Sequence, residues 1–478
     1  MNLKKQVFNS IFWNGLANVL CQGVNVAISL ALARLLYPQD FGIMGMAAFL
    51  VGFVSFFSEF GIGSALIQKN DLDEESISSI FWSAIMISAL LYGLVFLIAP
   101  LYAAFYHEPR LTLIIRVLFI DFLIYPTAMV QYAIHVKRLE YKTISLITIV
   151  STTISGIVSV IMAFSGCGVW SLIAQPLISR VLSNLFFWIY TDWKPAFICI
   201  VYKIKASYGF GLRVLLSNLV SFLVNNIDYF LIGKFLGTYT LGIYTLAFRI
   251  MKAPFNKIAG AVTNILFSAY LYIQDEEERF NKNYLRCTTA ISCLIVPFLI
   301  YISFNAKDLI LILVGEKWID SAPILSILCA AEMMDILLFS DQSAISAKGQ
   351  PGYLVTANVI ILVFLGFSIF YGSRYGIIVV SIAYTICIFI GASIKKLLML
   401  RKLHIPFHVF LRAMRPVIVV SLSVAGISLT AAQLFTVYSF NIWARMGISS
   451  LFCAAAYLIA LIKAGIIRFE QKKMHFNI

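Results

Sequence analysis

Two stretches of the chain, 200 positions apart, are similar in sequence: residues 35–47 are LLYPQDFGIMGMA and residues 235–247 are FLGTYTLGIYTLA. The match extends without gaps over residues 12–50 and 212–250. The polar, glycine and basic positions that recur at this offset are Asn18/Asn218, Asn25/Asn225, Gly42/Gly242 and Arg34/Lys234. Apolar matches are common between membrane segments, but matches of these residue types at one offset are not. We therefore infer an internal repeat.

The composition indicates a membrane protein. Of the 478 residues, 61% are apolar and only 12% are charged, and the mean hydropathy is +0.91. These values exclude a soluble globular protein and a disordered one. A helix needs about 20 apolar residues to cross a bilayer, and the segments between apolar runs are too short for an independent domain. We expect an all-α integral membrane protein that acts within the bilayer.

The apolar runs predict about fourteen transmembrane helices. Their ranges are 10–35, 41–66, 79–104, 110–134, 143–164, 167–190, 207–233, 239–268, 287–305, 321–346, 353–371, 374–395, 412–433 and 441–464. Fourteen spans place both termini on one side, and Lys and Arg lie mostly in the loops of that side, which predicts cytoplasmic termini. This asymmetry accounts for most of the net charge of +14 without a nucleic-acid partner.

The repeat predicts the domain organisation. Its copies begin at the first and seventh predicted spans, and an even number of spans between them gives both copies the same orientation. We expect two parallel six-helix lobes, residues 1–190 and 205–396, around a central cavity, followed by two transmembrane helices at 412–466. Parallel repeats are typical of transporters that work by alternating access.

Amide side chains line one face of the first helix in each copy. At 100° per residue, the amides of the first copy fall within about 80° of one another. The candidate cavity residues are Asn14, Asn18, Gln22, Asn25, Asn218 and Asn225. Amides combine donors and acceptors, as a sugar ligand requires. The alternative is hydrogen bonding between helices.

Charged residues within the predicted spans form a second set of candidates, because intramembrane charges are costly and usually functional. The candidates for a cavity that binds an anion such as a diphosphate are Arg180, Arg249 and Lys252. The candidates for binding a coupling H⁺ or Na⁺ are Glu59, Asp228, Glu332 and Asp335. The alternatives are snorkelling of the bases to the interface and structural ion pairs between the two sets.

The sequence carries no signal of an enzyme. The five histidines lie in loops, at a span end or in the tail, no phosphate-binding loop is present, and the eight cysteines form no CxxC pair. We predict a protein that is not an enzyme and needs no metal or cofactor beyond a coupling ion.

Several stretches resemble bacterial polysaccharide exporters. PQDFG at 38–42 and SEFGIGSALIQ at 58–68 resemble the second-helix signature of this family, and NIDY at 226–229 with IGKFLG at 232–237 resembles the start of its second lobe. GEKW at 315–318 resembles the loop before its tenth span. The family belongs to the multidrug/oligosaccharidyl-lipid/polysaccharide (MOP) exporter superfamily, and the resemblance is to the branch of colanic acid and teichuronic acid exporters.

The resemblance implies an O-antigen-type flippase of the bacterial inner membrane. Such a protein moves undecaprenyl-diphosphate-linked oligosaccharide repeat units from the cytoplasmic to the outer leaflet, in lipopolysaccharide or exopolysaccharide synthesis. Its partners would be the lipid-linked oligosaccharide, membrane lipids and glycan polymerase or assembly proteins. The alternative is a multidrug or small-molecule cation antiporter of the same superfamily. A membrane polymerase or ligase is disfavoured because the longest outer segment, 306–320, is short.

Overall fold

The chain folds into α-helices and a short terminal hairpin. The computed structural model describes residues 3–58, 73–198, 211–349, 355–437, 441–463, 467–470 and 473–476. The helices of the first part are α1 (Leu3–Leu35), α2 (Pro38–Ser58), α3 (Glu74–Tyr106), α4 (Arg110–Leu118), α5 (Ile120–Ile124), α6 (Met129–Lys137), α7 (Tyr141–Phe164) and α8 (Val169–Tyr190). The later elements are α9 (Gly211–Tyr272), α10 (Glu277–Phe304), α11 (Ala306–Leu313), α12 (Ser321–Leu337), α13 (Phe339–Ala347), α14 (Val355–Gly372), α15 (Ile377–Lys402), α16 (Phe407–Ala413), α17 (Arg415–Val437), α18 (Ile442–Lys463), β1 (Ile467–Glu470) and β2 (Lys473–Phe476).

The membrane-spanning helices confirm the predicted fold class. In the described residues, twelve helices are long and apolar enough to cross a bilayer, or thirteen if the bent pair α16 and α17 forms one span. Backbone polar groups have no water to bond with in the hydrocarbon, which is why the spans are helical. The predicted number of fourteen is not confirmed. The predicted helix separations near Gly166 and near Arg374 are confirmed.

Two of the predicted spans fall on two helices that join at a kink and together carry the label α9. The ranges 207–233 and 239–268 both fall on α9, whose helical backbone is interrupted at Gly237 with φ 80° and ψ −178°. Gly237 aligns in the repeat with Tyr37, which lies in the turn between α1 and α2. The two copies therefore break their helices at equivalent positions, and glycine relieves the positive φ at the second.

Local sequence signals set several helix ends. Pro38 begins α2, where its missing N–H costs nothing. Asp73 caps α3 by accepting a hydrogen bond from the backbone N–H of Ser76 at 3.2 Å, which satisfies one of the donors at that terminus. A short 3-10 turn at Tyr125–Ala128, with Pro126 near its start, separates α5 from α6, whereas α4 and α5 are separated at Phe119.

Contacts divide the chain into two compact units, Met1–Gly242 and Ile243–Ile478. In the first unit α7 packs along α1 and α8, and α3 packs on α4. In the second unit α10 packs on α12 and α17, α15 packs on α12 and α14, and α17 packs on α18. The predicted lobes 1–190 and 205–396 and the added pair at 412–466 stay predictions.

Two glycines of the repeat make a reciprocal contact within the first unit. A β-carbon at Gly42 would overlap the backbone carbonyl of Thr238, and a β-carbon at Gly242 would overlap the backbone carbonyl of Pro38. Gly42 aligns with Gly242, and Pro38 aligns with Thr238. Each copy therefore places its glycine on the same backbone position of the other copy, as in a two-fold interface.

We expect Gly42→Ala and Gly242→Ala each to destabilise the purified protein by about 1–3 kcal/mol, because the added methyl group collides with backbone that cannot rotate away. Thermal unfolding of the detergent-solubilised full chain measures the effect. Gly23→Ala is the matched control, since Gly23 lies in a helix of the same repeat copy and nothing approaches its β-carbon position within 4 Å. Equal melting temperatures for Gly42→Ala and Gly23→Ala would contradict the reciprocal contact.

Candidate functional site

The amide stripe on α1 is largely exposed. Asn14, Asn18 and Asn25 are exposed and Gln22 is half-buried. Asn18 donates to the side-chain oxygen of Asn14 at 3.4 Å, and the amide of Gln175 on α8 donates to Asn25 at 3.2 Å. The stripe is therefore accessible to a ligand and continues onto α8 through Gln175.

The second copy presents fewer accessible amides. Asn225 is exposed and donates to the carbonyl of Ser221 in its own helix at 2.7 Å. Asp228 is buried, and the side chain of Asn218 lies outside the described residues. Within the described part of the chain, no hydrogen bond joins this stripe to the stripe on α1.

Arg180 on α8 is held by one carboxylate and one aromatic ring. Its Nε donates to Oδ1 of Asp121 at 2.8 Å, and its guanidinium carbon lies 5.0 Å from the ring centroid of Tyr125. Both charged side chains are partly exposed, Arg180 by 39% and Asp121 by 27%. The terminal amino groups of Arg180 make no hydrogen bond to the described residues, so they are available for an anion.

Lys252 and two predicted ion-coupling residues form one cluster in the second unit. The ammonium of Lys252 lies 2.5 Å from Oε2 of Glu332 and 3.6 Å from Oδ2 of Asp335. Glu332 is buried, while Lys252 and Asp335 are partly exposed. Glu332 and Asp335 therefore share the ammonium of Lys252, whose charge is offset by these protein groups.

The remaining predicted site residues are dispersed. Arg249 is exposed on α9, one turn before Lys252. Arg180 and Asp228 belong to the first unit, whereas Arg249, Lys252, Glu332 and Asp335 belong to the second. Glu59 lies outside the described residues.

The structure places one helix boundary and one buried charge where the sequence did not predict them. The tenth predicted span, 321–346, is divided at Leu338 into α12 and α13, which together form one candidate span, Ser321–Ala347. The predicted span 374–395 was wrong at its end, because α15 continues to Lys402 and buries Lys396. No glycine or proline marks the break at Leu338, so the sequence gave no signal for it.

The second unit also contains an apolar cavity of about 790 Å³. The cavity lies among α9, α10, α11, α17 and α18. Representative lining residues are Ile250, Leu294, Phe298, Leu313, Val424 and Tyr457. The Tyr301 hydroxyl at its wall is paired with Ser450 at 2.7 Å, so the wall presents little unsatisfied polarity. Such a cavity suits a hydrocarbon chain.

Solved structures share this fold. The lipid II flippase MurJ, in an inward closed conformation, matches with a TM-score of 0.74 at 15% identity, over 95% of this chain and 99% of that one. An inward-facing multidrug resistance MATE family transporter of the MOP superfamily matches with a TM-score of 0.62 at 16% identity, over 83% of this chain and 98% of the other. This chain therefore shares the fold of these two transport proteins.

Comparison with known sequences identifies the family to which the chain belongs. Residues 31–323 match the model of a family described as polysaccharide biosynthesis protein. The teichuronic acid biosynthesis protein TuaB of Bacillus subtilis is 27% identical over 470 residues, which are 97% of this chain and 96% of that protein. This chain belongs to the polysaccharide biosynthesis protein family, and the resemblance noted in the sequence is confirmed.

We expect Lys252→Met to destabilise the protein by about 3 kcal/mol, because it leaves the buried carboxylate of Glu332 without its counter-charge. Thermal unfolding in detergent measures the loss, and Lys252→Met/Glu332→Gln should recover most of it. Arg249→Met, on an exposed residue one turn earlier, is the matched control. If Lys252→Met is as stable as Arg249→Met, the pairing is not the main role of Lys252.

Proposed function

We propose that this protein flips undecaprenyl-diphosphate-linked oligosaccharide repeat units from the cytoplasmic to the outer leaflet of a bacterial inner membrane. The observation that carries the proposal is the continuity of the exposed amides of α1 with α8, which bears both Gln175 and Arg180. One helix thereby brings groups suited to a sugar and a group suited to a diphosphate into the same unit.

Three chemical features support the three parts of this substrate. Exposed amides offer the donors and acceptors that sugar hydroxyls need. The available amino groups of Arg180 suit a diphosphate, since guanidinium binds phosphate oxygens through two parallel hydrogen bonds. An apolar surface such as that of the cavity of the second unit matches the chemistry of a polyprenyl chain.

The cellular setting follows from family and charge. The chain belongs to a polysaccharide biosynthesis family, and the excess of Lys and Arg on one side of the topology predicted from the sequence favours cytoplasmic termini. Glycan polymerase and assembly proteins are the expected protein partners. Transport is driven by exchange of H⁺ or Na⁺ at the cluster of Lys252, Glu332 and Asp335, where carboxylates outnumber the ammonium.

A second candidate is a small-molecule cation antiporter. The same carboxylate surplus at Glu332 and Asp335 favours it, because an organic cation would be attracted there as a metal ion or proton is. This candidate leaves the exposed amides of α1 and the amino groups of Arg180 without a role.

Deletion of the gene in its native host tests the proposal. We expect one defined oligosaccharide-diphosphate-polyprenol to accumulate facing the cytoplasm, as measured by mass spectrometry of the lipid extract and by shielding from an impermeant outside probe. An unchanged lipid pool with normal surface glycan, in a strain without a paralogue, would contradict the flippase. Increased sensitivity to cationic drugs in that strain would favour the antiporter.

We expect Arg180→Ala to lower glycan export by tenfold or more, since a charge-assisted hydrogen bond contributes about 1.5–3 kcal/mol. Surface glycan in the complemented deletion strain measures export, and immunoblotting measures the amount of protein. Arg180→Ala/Asp121→Ala removes the stranded carboxylate and should restore any lost protein without restoring export. Arg110→Ala is the control, because Arg110 is paired with Glu108 at an exposed turn. Normal export by the double variant would remove Arg180 from the substrate site.

A further inference from the structure

A fully buried charge pair joins several helices of the second unit. The ammonium of Lys396 on α15 donates to Oδ1 of Asp341 on α13 at 2.6 Å. The hydroxyl of Tyr284 on α10 donates to the same oxygen at 2.7 Å and accepts from Lys396 at 2.8 Å. Lys396 also lies 5.4 Å from the ring centroid of Phe410 on α16. Four helices therefore meet at this pair.

Only one of the two carboxylate oxygens of Asp341 accepts hydrogen bonds from the described residues. The residue is 1% exposed, and its second oxygen, Oδ2, makes no hydrogen bond to the described residues. An ionised carboxylate has about four acceptor positions, and a buried acceptor without a donor is unfavourable. Oδ1 already accepts hydrogen bonds from the ammonium of Lys396 and the hydroxyl of Tyr284. The acceptor positions that lack a donor are therefore mainly those of Oδ2. A proton is the smallest ligand that removes the charge from this oxygen.

The titratable groups around Asp341 come from three helices. Tyr284 and Cys287 lie on α10, Tyr270 lies on α9, and Lys395 and Lys396 lie on α15. Lys395 is half-buried and interacts electrostatically with both Asp341 and Asp335. Lys396 is the ammonium in direct contact with Asp341 within the described residues, so the pair is neutral overall when both groups are ionised.

We propose that Asp341 is a proton-binding site whose occupancy controls the junction of α10, α13, α15 and α16. A proton from water adds to Oδ2, no covalent bond breaks, and the site changes from neutral to one positive charge. Lys396 then lacks its counter-charge, and a buried unpaired ammonium is strongly unfavourable. Unless Lys396 releases its own proton, the junction then loosens, either by exposing Lys396 to water or by admitting an anion.

The position of Asp341 makes such loosening local. Asp341 lies in the first turn of α13, directly after the break at Leu338, so α13 can change its angle without carrying α12 with it. This site differs from the cluster of Glu332 and Asp335, which precedes the break and is partly exposed. The inference deepens the proposed function and rests on it for its consequence, since proton binding at this junction would act together with ion exchange at the cluster of Lys252, Glu332 and Asp335 in the transport step.

Infrared difference spectra of the purified full-length protein test the site without any substrate. We expect the wild type to gain the carbonyl-stretch band of a protonated carboxylic acid on going from mildly alkaline to mildly acidic pH. Asp341→Asn should lose that band, while the control Asp308→Asn, whose carboxylate pairs with Arg445 and belongs to neither charge cluster, should keep it. Lys396→Met should shift the midpoint to at least a tenfold lower proton concentration, because the ammonium that stabilises the ionised form is gone.

Two results would overturn the proposal. The first is a spectrum of Asp341→Asn that superimposes on that of the wild type, and the second is an unchanged midpoint in Lys396→Met. If Asp341→Asn does not fold, the double variant Asp341→Asn/Lys396→Met, which removes both charges of the pair, replaces it. The double variant should also lack the carbonyl-stretch band. The spectra need no glycolipid, so their failure would leave the flippase proposal standing, and the deletion experiment can fail while the proton site holds.

Discussion

Every charge that enters the hydrocarbon core of a bilayer needs a partner there, because an unpaired buried ion is far more costly than a paired one. This constraint organises the chain. Arg180 is paired with Asp121, Lys252 with Glu332 and Lys396 with Asp341. Each pair joins helices that are distant in sequence, so the same contacts that neutralise charge also hold the helices together. A structural role for these pairs is therefore compatible with the functional roles proposed for them.

The helical architecture and the repeat could be predicted from the sequence, because both depend on patterns that persist over twenty or more residues. Long apolar runs allow only helices in a bilayer. The pairing of Gly42 with Gly242 at one offset predicted equivalent positions, and the reciprocal contacts with Thr238 and Pro38 give that pairing a physical cause. A residue without a side chain is required wherever two backbones approach so closely.

The partners of the charged residues could not be predicted in the same way. Sequence patterns show that Arg180, Lys252 and Glu332 lie in apolar segments, but which helices face each other depends on packing. The break at Leu338 and the extension of α15 past residue 395 carry no glycine or proline signal. For this reason Lys396, which lies just past the predicted span 374–395, proved to be buried against Asp341.

The exposure of the three ion pairs limits the size of the ligand that each pair can bind. The side chains of Arg180 and Asp121 are 39% and 27% exposed, so an anion as large as a diphosphate can reach them. Lys252 is 18% exposed and Glu332 only 1%, which admits a small cation at most through the side of Lys252 and Asp335. Lys396 and Asp341 are 7% and 2% exposed, and only a proton can reach Oδ2 without prior opening. Substrate, coupling ion and proton would thus act at different depths of burial, and the deepest pair requires the largest rearrangement when its charge changes.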